Sequence, residues 1–243
     1  MRVCTGIVAL LLFSAASVFA QSPVPVESVA TVAELEMEVT YQVELLEKLL
    51  SQDGDHKERA PVLRQAFGVL ACVGQGLVEH PEAKSSKVQG AALRDAALLF
   101  KRDSTHEDAM AALAAVKLAQ AGTSEVAGKS EHAWNRLVNM HPMMEEMNAR
   151  NAKIVKILAR PRGKADEPVH ATTLALLSIA MLADTHEVKN EGDIPQWNAW
   201  SNEYREHMLK VAHAIRMKQG KEGREAFDKA NETCDACHEK FRD

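Results

Sequence analysis

Aromatic side chains are scarce in this chain: six Phe, two Tyr and three Trp make up 5% of its 243 residues. Alternating runs of Val, Ile, Thr and Tyr are almost absent while Ala and Leu recur throughout, which disfavours pleated sheet and favours helix. A basic excess is also missing, since 29 Lys and Arg face 34 Asp and Glu for a formal charge of -5. A nucleic-acid partner would be repelled, and none is expected. Beyond the first twenty residues no segment reads as a membrane span. What is present, 46% hydrophobic and 26% charged residues, suits a soluble globular protein of one or two small domains. The expected fold class is all-α.

The first twenty residues differ from the rest. Arg2 supplies a short positive start, Ile7 to Phe13 is mostly apolar, and Val18-Phe19-Ala20 offers the small residues of a signal peptidase site. Cleavage after Ala20 is expected, giving an exported, periplasmic-type protein with no span left after processing. The apolar stretch is shorter than the roughly 20 residues a spanning helix needs. Removal of residues 1–20 also removes Cys4 and leaves Cys72, Cys234 and Cys237, an odd number that does not suit a disulfide framework. Cys72 sits in the apolar stretch Phe67 to Val73 and reads as a small buried hydrophobe.

Helical periodicity and turn residues divide the remainder into two sets of four blocks. The first set is Ala30 to Leu50, Ala60 to Val78, Lys87 to Arg102 and Glu107 to Ala121. The second is Glu131 to Leu158, with Ser130 as N-cap and Pro142 as a kink or restart, then Pro168 to His186, Trp197 to Met217 and Lys221 to Phe241. A small, polar linker over residues 123–130 separates a domain of residues 21–122 from one of residues 131–243. Laid over each other as an internal duplication, the two sets place Cys234 to His238 opposite Leu118 to Gly122, so the N-terminal copy lacks the reactive residues.

Cys234-Asp235-Ala236-Cys237-His238 is a C-x-x-C-H pentapeptide, the attachment signal of c-type haem. On a helix the two thiols lie on nearby faces and can each form a thioether with a vinyl group of one porphyrin, while His238 places an imidazole beneath the iron. The alternatives fit less well. A thioredoxin-like pair belongs at a helix start after a strand. A structural zinc site needs a fourth ligand, which His207 or His213 would have to supply. A disulfide across two intervening helical residues is strained.

With this motif on the last helix of a four-helix set, followed by Glu239-Lys240-Phe241-Arg242, the chain resembles the class II cytochromes c, the cytochrome c-prime and c-556 type. The resemblance covers about residues 130–243 and extends weakly, as a haem-less copy, to residues 25–121. It implies a four-helix up-down-up-down bundle, in two tandem copies with the C-terminal one binding a single covalent haem c. It also implies Cys234 and Cys237 as thioether positions, His238 as the proximal iron ligand and Arg242 as a basic residue close to it. The family's sixth ligand comes from the first helix, here about Arg136 to Met147, where Met140, Met144 and Met147 fall on one face. The family pattern sets a basic residue four positions before that ligand, as Arg136 stands before Met140. Met140 is therefore the distal candidate, Met144 the runner-up and His141 a third. His207 and His213 receive no role.

The resemblance implies a one-electron carrier whose Met and His ligation keeps the iron low-spin, serving another exported or membrane-bound redox protein. The alternative from a different class is a five-coordinate haem protein that binds NO or CO. Enzymatic activity is not expected: a peroxidase wants open iron with distal acid-base groups, and the facing stretch offers methionines and His141. Some family members dimerise through helix faces, which leaves a homodimer open.

Overall fold

Thr31 and Thr105 each accept a hydrogen bond from the N–H three residues on, while Glu34 and Asp108 reach back to the cap. Two of the helix starts are thus written as capping boxes. The computed structural model describes residues 22–52, 55–128 and 132–242. Among them the regular structure is entirely helical: α1 (Val32–Leu50), α2 (His56–Glu79), α3 (Gly90–Ala97), α4 (His106–Ala121), α5 (Met140–Ala159), α6 (Val169–Ala183), α7 (Ile194–Arg216) and α8 (Gly220–Phe241), with short 3-10 turns between them. The all-α expectation holds for these residues. The signal segment and its cleavage site lie outside them.

Three boundaries depart from the sequence reading. The helix expected from Glu131 starts instead at Met140, capped by Asn139, after a 3-10 turn over Trp134–Arg136. Ser130, the expected cap, lies outside the described residues. Proline explains the late start: a helix running through from 131 would lose the bond from position 142 and meet the ring, whereas Pro142 in the first turn gives up an N–H that has no partner there anyway. The third block shrinks from Lys87–Arg102 to Gly90–Ala97, because α3 begins where Gly90 comes against the backbone of α2 at Gly74. The second begins earlier, at His56, with the Asp55 side chain capping Lys57 N–H and Pro61 tolerated inside the helix.

Consecutive helices pack on each other within each half, and α1 also meets α4 as α5 meets α8. The halves are joined by α1 and α2 against α5 and α6, and one hydrophobic cluster runs through residues of all eight helices. α2 is long and apolar enough to cross a membrane, contrary to the reading that no later segment is. However, 78% of its apolar window is buried inside the protein, as for a core helix.

A buried polar seam crosses the junction between the halves. Arg150 of α5 is fully buried and grips both carboxylate oxygens of Glu38 on α1, at 2.5 and 3.0 Å, and Glu146 at 2.7 Å. Thr173 of α6 and Gln42 also donate to Glu38, each at 2.8 Å. Beside it Glu34 accepts from Thr172 and from Arg216 of α7. Burial alone would push Glu38 up, but the Arg150 charge and these donors hold its carboxyl below the usual range. The same guanidinium donates to His170 Nδ1 at 3.3 Å. Burial first, and then that charge, bring His170 down to about 4.

Candidate functional site

α8 begins after a tight reversal in which Lys218 adopts φ 59° and Gln219 N–H donates to Ala214 C=O. The reversal lays α8 antiparallel along α7. At its far end Phe241 packs edge-on against Trp197 and Trp200, with ring centroids 5.2 and 5.8 Å apart, and Lys240 pairs with Asp193 at 2.7 Å. These contacts anchor the last turns of α8, which carry Cys234, Cys237 and His238.

All three residues line one cavity of about 630 Å³, inside the roughly 300–1,000 Å³ range of cofactor and ligand sites. Its α5 wall supplies Met140, Met144 and Met147, and α7 supplies Trp197 and Tyr204. Met140 and Met147 are buried and Met144 half-buried. Arg242, just past α8, lines the mouth together with Glu145, Glu187 and Asp235. The structure therefore brings together every site residue expected from the sequence: Cys234, Cys237, His238, Arg242, Met140 and Met144. Met143 packs into the core and does not face this space.

Arg136, whose spacing singled out Met140, is not part of this lining and faces a separate cleft. With Met140 the first residue of α5, Arg136 falls in the preceding 3-10 turn and does not share the helical face. His141 reaches the cavity mouth but its side chain is 85% exposed and pairs with Glu145 at 3.3 Å. His207 is on α7 and outside the lining.

Cys234 and Cys237 are free thiols. Burial pushes Cys234 up to about 12 and Cys237 up to about 11. Both stay protonated at neutral pH and are unsuited to thiolate chemistry of the thioredoxin kind. A small cavity of about 20 Å³ lies against the same thiols, lined by Met144, Met147, Met181 and Trp200 among others. Two thiols and an imidazole thus share one cavity with three thioethers.

Sequence reasoning missed Tyr204. It is 3% exposed, lines both cavities and has no hydrogen bond among the described residues, so its hydroxyl is available to an occupant. Burial, with the neighbouring Cys234, holds it well above the usual phenol range. Asn151 and Asn231, 3.5 Å apart, tie α5 to α8 in the same lining. The signal was available: in an aromatic-poor chain, Trp197, Trp200 and Tyr204 concentrate on one helix at spacings of three and four.

No family model, curated protein or solved structure matches the chain.

Proposed function

We propose that the chain is an exported monohaem c-type cytochrome acting as a one-electron carrier, without enzymatic activity of its own. The observation that carries the reading is that a C-x-x-C-H motif and a methionine face on a different helix line one cavity of cofactor size. The residues fit the group. Two protonated thiols can add across two vinyl groups without a leaving group, His238 can ligate iron through an unblocked imidazole, and the mainly apolar lining suits a porphyrin face. When bound, haem c supplies the one-electron couple, and the protein's part is to hold and shield it.

In this reading α5–α8 form an up-down-up-down bundle of the class II cytochrome c type. α1–α4, whose helices pack in the same cyclic order around a shorter third member, are its haem-less copy. Met140 is the preferred sixth ligand and Met144 the runner-up; both stand on the cavity wall. Tyr204 and Arg242 line the same cavity and would supply hydrogen-bond donors to the occupant. Residues 1–20 act as the export signal, the soluble product works in the periplasm or its equivalent, and its partner is another redox protein.

The test is expression of the full chain in a host with c-type maturation, followed by denaturing gels stained for haem and by optical and near-infrared spectra. Covalent haem that is lost in Cys234→Ala/Cys237→Ala supports the reading. A weak methionine-to-ferric-iron band that disappears in Met140→Ala and persists in Met144→Ala assigns the sixth ligand. A high-spin spectrum that responds to CO or NO replaces electron transfer with gas binding. Absence of covalent haem refutes both.

A further inference from the structure

A second cleft, of about 260 Å³, lies where α2, the α3–α4 connection and the segment entering α5 meet. Arg64, Lys101, Arg102 and Arg136 line it, and among the described residues no carboxylate does. The four come from three separate stretches of sequence, Lys101 and Arg102 being neighbours, so the fold has assembled them. None has a side-chain hydrogen bond or ion pair among the described residues, although the chain as a whole has more acids than bases. Like charges held together without a counter-charge repel, which leaves a standing attraction for an anion.

Asn139 also lines the cleft and opens α5 without a side-chain capping bond. The cleft lining also includes the buried side chains of Phe67 and Leu137, while Arg64 is half-buried and Lys101, Arg102 and Arg136 are exposed to solvent. Gly68 makes this geometry possible, because a Cβ there would stand 2.6 Å from Val138 Cγ2 and push the entering segment off α2.

We propose that this cleft is a binding site for a small multivalent oxyanion, a group with at least two negative charges and the size of a pyrophosphate or a compact polycarboxylate. Guanidinium forks pair with such oxygens bidentately. The volume falls below the roughly 300–1,000 Å³ of sites for larger ligands, which favours a compact group over a whole nucleotide. The site shares no lining residue with the cavity around Cys234, so it stands whatever fills that cavity.

The test is calorimetric titration of the full chain with inorganic pyrophosphate and, separately, citrate, at a fixed ionic strength of about 0.15 M. Saturable one-site binding is expected. Arg64→Ala/Arg136→Ala should weaken it roughly tenfold for each arginine removed. Lys84→Ala/Lys229→Ala, which removes the same charge elsewhere on the exposed surface, should change it by less than about twofold. Preference between the two probes identifies the phosphate-type or carboxylate-type source. Absence of saturable heat with either probe overturns the proposal, as does equal weakening in the two double variants, which would reveal only the overall field.

Discussion

Arg150→Met keeps most of the arginine stem and removes the charge that three helices converge on. In the folded protein the guanidinium makes two bonds to Glu38 and one to Glu146, and both it and Glu38 are inaccessible to water. Removing one partner of such a buried pair costs about 3–5 kcal/mol, because the remaining carboxylate is left without compensation. Gln42 and Thr173 still donate to Glu38, which places the expected loss near the lower end, about 3 kcal/mol. With a urea slope of about 3 kcal/mol per molar, the unfolding midpoint should fall by ~1 M. Far-UV circular dichroism reports both halves, while Trp197 and Trp200 report the second and Trp134, whose Nε1–H donates to Glu79 of α2, reports the junction. Since Arg150 joins α5 to α1, the two midpoints should fall together. Glu38→Leu/Arg150→Met should recover most of the loss by replacing the pair with apolar contacts. A single-variant loss under about 1 kcal/mol, the value of an exposed ion pair, would refute the reasoning.

Three other outcomes follow from the same geometry. His170 is held at about 4 against a usual value of about 6.5, so below neutrality the unfolded chain binds a proton that the folded one refuses. Stability should therefore fall as pH drops from about 6.5 to 4, with Glu38 adding its own loss at still lower pH, since its folded value is depressed. His170→Gln should flatten the upper part of that profile alone, measured as urea midpoint against pH; an unchanged slope would exclude His170 as the cause. Gly74→Ala should destabilise by about 1–3 kcal/mol, because its Cβ would stand 2.7 Å from Arg94 N and 2.8 Å from Gly90 O. Gly76→Ala, with nothing nearer than 3.6 Å, should be stabilising by up to about 1 kcal/mol, and thermal melts compare the two. In haem-free protein, alkylation of Cys234 and Cys237 at pH 8 should run two to three orders of magnitude slower than for an ordinary thiol of pKa about 8.5, given values of about 12 and 11. Ordinary rates, followed by mass spectrometry, would mean that the α8 thiols are not buried.

The helical class, the number of blocks and the location of the reactive residues were legible in the linear chain, because all three rest on short-range rules. Capping boxes at Thr31 and Thr105 mark helix starts over four residues. The 3.6-residue repeat marks buried faces, and C-x-x-C-H needs only five consecutive positions. The start of α5 was placed too early, at Glu131, but Pro142 reads as a kink or restart, and the helix begins at Met140 with Pro142 in its first turn. α3 was overextended because its start depends on Gly90 meeting Gly74 on another helix.

Long-range placement was decided only by tertiary packing. Nothing local marks Tyr204 as a cavity residue or turns Arg136 away from Met140 toward Arg64 and Lys101. Nor does a sequence reveal that Glu38 and Arg150, distant along the chain, neutralise each other between the two halves. Periodicity states which face of a helix is buried but not which other helix buries it. Burial of a charge is tolerable only once the fold has supplied its partner.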